Sequence, residues 1–332
     1  MPTPLLLLLS FLLLLGGAVL FTNAVEWLGH ELRLAQGAVG SILAAVGTAL
    51  PESLIPIVAV VGGAHGGGEV AVGAIVGAPF LLATIALALL ASSAYLFRRR
   101  RESGAQIAAD LPTFRRDLGY FLLLFLTAVA LGLGAPHWLR LAGAIVLVVA
   151  YGVYVVRTVR APGVVADEHE LEALYADTSR HDSPNRAQVA GQLAVGLAAI
   201  VGGAHLFVDA VLRTAEQIGV APLVLSLVLA PFATELPEKA NSLLWIRRGK
   251  DTLALGNITG AMVFQSALPV AFGLAFTDWE LGAPSLLAAG LALAGASLAY
   301  LVVARRRRAG ALPILGWAAL YAVFVAYVAL IA

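Results

Sequence analysis

The chain of 332 residues is 60% hydrophobic and only 12% charged, with a mean hydropathy of +0.91 and a formal net charge of +1. Soluble domains carry roughly twice that charged share, so a water-soluble globular fold is excluded, and a near-neutral net charge points to no class of partner. The absence of cysteine rules out a disulfide framework and a thiolate metal site.

Apolar runs between charged or Pro/Gly-rich breaks predict ten helical spans, at roughly 4–25, 36–62, 69–97, 118–136, 138–156, 187–208, 219–246, 252–276, 281–304 and 309–331. Several exceed the ~20 residues that cross a hydrocarbon core, and without period-2 alternation a membrane barrel is excluded. The Leu-rich first span has no Lys or Arg ahead of it, unlike a secretory signal, and reads as a retained helix. Glu26, His30 and Glu31 follow in the first connection, either solvated or lining an entrance. The second span holds Thr48-Ala49-Leu50-Pro51-Glu52, and a glycine-rich loop with His65 leads to the third. The run Arg98–Arg101 reads as a topology anchor at anionic headgroups, not as a nucleic-acid patch. Spans four and five close a first half, 1–157.

A linker at 158–186 carries Asp167, Glu168, Glu170, Glu172, Asp177 and Asp182 without EF-hand spacing, and is expected to be solvated. The second half, 187–332, opens with a sixth span in which His205 and Asp209 lie near the end, at surface or vestibule positions. The seventh contains Thr234-Glu235-Leu236-Pro237-Glu238 and the eighth Gly256-Asn257 and Gln265. Arg305–Arg308 separates the last two spans.

The charges orient these spans. Of the 21 lysines and arginines, all but Arg140, Arg213 and Lys239 fall in the odd-numbered connections. By the positive-inside rule those connections are cytoplasmic and both termini lie outside, as expected of an inner (plasma) membrane protein.

Thr-x-Leu-Pro-Glu occurs in spans two and seven, each time followed in the next span by a Gly-x-x-x-Gly pair, Gly73/Gly77 and Gly256/Gly260. Five crossings separate the copies, so they run in opposite senses. The fold class is therefore all-α integral membrane: ten transmembrane helices as two inverted five-helix repeats, an architecture of alternating-access transport. The glycine pairs can be read as helix packing; the glutamates cannot. Glu52 and Glu238 each lie about 10 residues, or roughly 15 Å, from a helix end, where an ionised carboxylate costs on the order of 3 kcal/mol. Pro51 and Pro237 leave the carbonyls of Gly47 and Ala233 without their helical donors, and Thr48 and Thr234 stand one turn before each glutamate. Such hard oxygen donors suit calcium or sodium. Glu235 adds a third carboxylate one turn from Glu238. It either forms a coupled pair that carries a proton or pairs with Lys239 as a structural ion pair.

These motifs resemble the sodium/calcium exchanger superfamily, whose two alpha-repeats carry Gly-Thr-Ser-Leu-Pro-Glu followed by Gly-Asn-x-x-Gly-Ser-Asn. The resemblance implies that Glu52 and Glu238 are the central metal ligands, with Thr48 and Thr234 as auxiliary ones, and that the first and sixth helices slide past the site. It also places Asn257 and Gln265 at ligand positions. The departures are lopsided: the first copy has Ala74, Ala78, Pro79 and Leu82 where the family is polar, and the second has Ala261 and Met262. Most hydroxyl and amide positions tied to sodium are thus lost. The expected function is a secondary-active antiporter exchanging calcium, or a related divalent cation, against protons or sodium. It has no cofactor, and its partners are the lipid bilayer and small inorganic cations. A transport-incompetent relative acting as a sensor or scaffold is the alternative; no hydrolase motif supports an enzyme.

Overall fold

A computed structural model describes the backbone of all residues except 1–2, 32–49, 109, 161–172, 178–183, 248, 250, 303–310 and 332; some side chains inside helices, including that of Glu26 and those of 236–242, also lie outside the described set. Every regular element among the described residues is a helix: α1 (Thr3–Glu31), α2 (Leu50–Val61), α3 (Gly67–Leu81), a π turn (Leu82–Ala86), α4 (Leu87–Leu96), α5 (Leu111–Leu131), α6 (His137–Arg160), α7 (Arg186–Ile218), α8 (Pro222–Arg247), α9 (Asp251–Gln265), α10 (Leu268–Phe276), α11 (Ala283–Leu301) and α12 (Ala311–Ile331). Each predicted span overlaps one or more of them. Among the described residues, seven helical runs are long and apolar enough to cross a membrane, and the fold is an all-α membrane fold.

The helices outrun the apolar stretches that predict them. α1 continues to Glu31, so Glu26 and His30 belong to a helix and not to a connection. α5 starts at Leu111, where Asp110 accepts from Thr113 N, so Arg115 and Arg116 are helical too. α7 begins in a capping box, Ala187 N donating to Asn185 Oδ1 and Asn185 N to Gln188 Oε1, and runs to Gly219 at φ 70°. Hydropathy finds the membrane-facing part of a helix; caps decide where it ends. The eighth span is two helices, because the chain breaks at Ser266–Ala267 just before Pro269, which occupies the first turn of α10.

Small residues set the closest approaches. α1 and α7 cross where a Cβ on Gly17 would lie 2.9 Å from Gly196 O. α3 lies against α8 so closely that a Cβ on Gly73 would fall 2.4 Å from Leu223 O, and one on Gly77 2.2 Å from Leu227 O. Ser226 Oγ stitches the same pair by donating to Val70 O at 2.7 Å. Gly77→Ala should therefore cost ~1–3 kcal/mol by overpacking. Gly119→Ala, where no atom lies within 4 Å, should be neutral or stabilise the helix by up to ~1 kcal/mol. Thermal unfolding in detergent compares the two; equal midpoints would contradict the packing argument.

The buried apolar side chains form two main clusters. The larger draws on α3 to α6 and α8 to α12, the smaller on α1, α2, α7 and the near ends of α3 and α8. α3 and α8 contribute to both and so mark the seam between them.

Part of the linker is not solvated. Leu174 is buried among Ala24, Trp27 and Val189. Residues 173–177 form a strap across α1 and α7: Asn23 Nδ2 donates to Ala173 O, Tyr175 N to Asn23 Oδ1 and Ala176 N to Gln192 Oε1, while Gln192 Nε2 bonds Asn23 Oδ1 at 2.8 Å and Leu20 O at 2.9 Å. A second tie joins the turn after α4 to α9. Arg101 Nη2 meets Asp251 Oδ2 at 2.5 Å with both side chains fully buried, and Ala108 N donates to the same oxygen at 2.7 Å.

Candidate cation site

Of the acidic and amide residues singled out by the repeat, Glu52, Glu235 and Gln265 are buried on helices that belong to these two clusters. Glu52 lies at the start of the described part of α2, with 6% of its surface exposed. The next turns of α2, through Ile55, Val58 and Ala59, belong to the smaller cluster. α2 packs against α8, which carries Ala233, Thr234 and Glu235, all buried. α9 also packs against α8 and belongs to the larger cluster through Ile258, Met262 and Val263. Its last residue, Gln265, is buried and donates through Nε2 to Glu235 Oε1. The break after Gln265 lets this amide end a helix facing α8.

Five expected residues are thus buried at the seam on three helices: Glu52, Ala233, Thr234, Glu235 and Gln265. The hydroxyl of Thr234 donates back to Ala230 O at 3.1 Å, which spends its proton on its own helix and leaves its oxygen lone pairs as acceptors. Gln265 Oε1 is buried and accepts no hydrogen bond among the described residues. A buried set of carboxylate, hydroxyl and amide oxygens in low dielectric fits a hard cation. Asn257 is half-buried on α9, two turns before Gln265. Gly47, Thr48 and the side chain of Glu238 lie outside the described residues, as does that of Lys239, so the Glu235–Lys239 alternative falls there as well. His65, His205 and Asp209 are exposed.

Hydropathy and motif spacing give no sign of one further buried carboxylate. Asp117, on α5, stands among bonds from Arg116, Tyr154 and Thr259. Its only trace in the sequence is an Arg-Asp pair at the mouth of an apolar run.

The family described as sodium/calcium exchanger protein matches residues 3–160 and 189–330, which is most of the chain in two blocks. The chain is 27% identical over 310 residues to CaxA of Alkalimonas amylolytica, which bears the name of an antiporter, covering 90% of this chain and 88% of that protein. It is 24% identical over 269 residues to an uncharacterized membrane protein of Methanocaldococcus jannaschii, covering 81% and 80%. Among solved structures, the fold is similar to that of the H+/Ca2+ exchanger CAX, with TM-score 0.73, 20% identity and coverage of 98% of this chain and 81% of that one. It is also similar to the sodium-calcium exchanger NCX_Mj, with TM-score 0.61, 22% identity and 98% coverage of both chains. The two matched blocks each contain one Thr-x-Leu-Pro-Glu copy, and the chain belongs to the sodium/calcium exchanger protein family.

Proposed function

We propose that the chain is a secondary-active antiporter that exchanges calcium, or a related divalent cation, by alternating access at the seam. Glu52 and Glu238 are the principal ligands, assisted by Thr48, Thr234 and the carbonyls of Gly47 and Ala233. The observation that carries this reading is the burial of Glu52 and Glu235 on helices that pack together inside a membrane fold. Each buried carboxylate costs on the order of 3 kcal/mol, a cost that a bound divalent cation offsets and helix packing does not require. A seam between two apolar clusters is where one body of helices can move against the other, with α1, α2 and α7 on one side. In this reading residues 1–157 and 187–332 are inverted halves, 158–186 is cytoplasmic, both termini face outward, and the membrane is the inner one.

The coupling ion in this proposal is the proton, carried at Glu235 and Glu238. The first copy presents Ala74, Ala78 and Leu82 where sodium would need polar ligands. Gln265 suits a partner that changes protonation, because its amide offers N–H to a carboxylate and, turned over, a carbonyl to the carboxylic acid. Everted vesicles with an acidic interior should take up calcium in sodium-free buffer, and Glu235→Gln should flatten the response to the pH gradient. Uptake that appears only with an imposed sodium gradient would select sodium instead. The lost ligands of the first copy also favour a sensor or scaffold; reconstituted wild-type protein that moves no cation under either gradient would select that reading.

A further inference from the structure

We propose that Asp117 is a positioning residue for the cation site, acting through Thr259 to fix the register of α9 and so to present Gln265 to Glu235. This rests on the reading of that site given above. Asp117 is 2% exposed, and three helices converge on its carboxylate. Thr259 Oγ1, from α9, donates to Oδ2 at 2.9 Å. Tyr154 OH, from α6, donates to Oδ1 at 3.1 Å, and Arg116, next in chain on α5, donates to Oδ1 through Nε at 3.2 Å and Nη2 at 3.1 Å. The guanidinium also lies 5.5 Å from the centre of the Tyr154 ring. Both carboxylate oxygens are used, and the Arg116 guanidinium matches the charge. Such a hub is satisfied in one arrangement only, since moving any partner leaves a buried polar group unpaired.

What the hub holds is the helix that ends at the site. Thr259 precedes Gln265 by six residues, about 9 Å along the axis. Between them Gly260 faces the Tyr154 hydroxyl, a Cβ there lying 3.9 Å from it, and Phe264 meets the Tyr151 ring edge-on with centroids 5.7 Å apart. Toward its start α9 is pinned by the Arg101–Asp251 pair. The helix is thus tied at its first residue and at its middle, and its free end carries the amide that bonds Glu235. A rotation of α9 about its axis would have to break the Thr259 bond first.

The chain contains no cysteine, so an engineered pair reports the register directly and without transport. In an E235C/Q265C background, oxidant-driven cross-linking should be several-fold slower with T259V, which removes the hydroxyl at nearly constant volume. T259S, which restores the donor, should cross-link at close to the parent rate. In the protein without these cysteines, T259V should raise the apparent KM for calcium about tenfold with a smaller change in maximal flux, and T259S should stay within about twofold of wild type. Should T259V not accumulate in the membrane, Y154F carries the same two measurements by removing the second donor. Cross-linking and KM that are unchanged in the variants, with only yield or melting point lowered, would overturn the proposal. A wild type that moves no cation while the cross-linking difference persists would instead refute the antiport reading and leave the positioning role standing.

Discussion

Glu52→Gln is expected to abolish calcium uptake while the protein remains folded and membrane-inserted. The carboxylate is 6% exposed on α2 beside α8. In the proposed site it supplies a negative charge that an amide of the same shape cannot replace. Removing one member of a buried charge pair costs roughly 2–5 kcal/mol or more, equivalent to a factor of ~30 to several thousand in cation affinity. The amide is cheaper to bury than the ionised acid, so the melting temperature in detergent should hold or rise. This opposite movement of function and stability distinguishes a ligand from a packing residue. Radioactive calcium flux into everted vesicles, with thermal unfolding of the same preparation, tests both halves. Wild-type flux in the variant would defeat the assignment of Glu52, and a fall in melting point of the size expected for a core defect would assign the residue to structure.

The second large effect should come from Arg101→Ala. The Arg101–Asp251 pair is fully buried, and Arg101 Nη2 also donates to Gln106 O and Ser103 Oγ, each at 3.1 Å. Alanine would leave the Asp251 carboxylate with one donor among the described residues, Ala108 N, and breaking a buried pair in this way costs about 3–5 kcal/mol. Replacing both partners by apolar residues of similar volume, as in R101M/D251L, leaves no stranded charge and should recover much of that loss. The prediction is therefore a non-additive cycle: a severe single variant and a milder double one, read as midpoints of thermal unfolding. A single variant as stable as wild type would show that the pair contributes nothing. Because Asp251 opens α9, loss of the tie should also weaken calcium binding through Gln265.

Much of this architecture was legible in the sequence because a bilayer leaves so few options. Charge-free runs must be helices, and the Lys and Arg distribution spaces them. The same constraint made the candidate site visible, since Glu52 and Glu235 stand out against apolar neighbours, and Gln265 follows from the family motif. What escaped prediction depended on pairing in three dimensions. The partner of Glu235 comes from α9, thirty positions along the chain, where no local pattern joins them. Asp117 sits one residue inside a predicted connection boundary and looks like solvated charge until Thr259 and Tyr154 are brought to it. The break between α9 and α10 was signalled by Pro269, but hydropathy runs straight through it. Leu174 lies with Leu171 in an acidic stretch, and only its neighbours in space reveal that it is anchored.

The docking of residues 173–177 on Asn23 and Gln192 has a consequence for how the polypeptide can be divided. α1 comes from one half and α7 from the other, and the strap touches both. Two co-expressed fragments separated within 161–172 would leave the strap attached to the C-terminal piece, free to grip α1 as the fragments reassemble. A division within 178–183 would hand it to the N-terminal piece, with Gln192 as its landing point. Both should complement. Fragments lacking 173–177 altogether would keep helix packing and ties such as Arg101–Asp251 and Asp117–Thr259 but lose the strap, and reassembly should suffer accordingly.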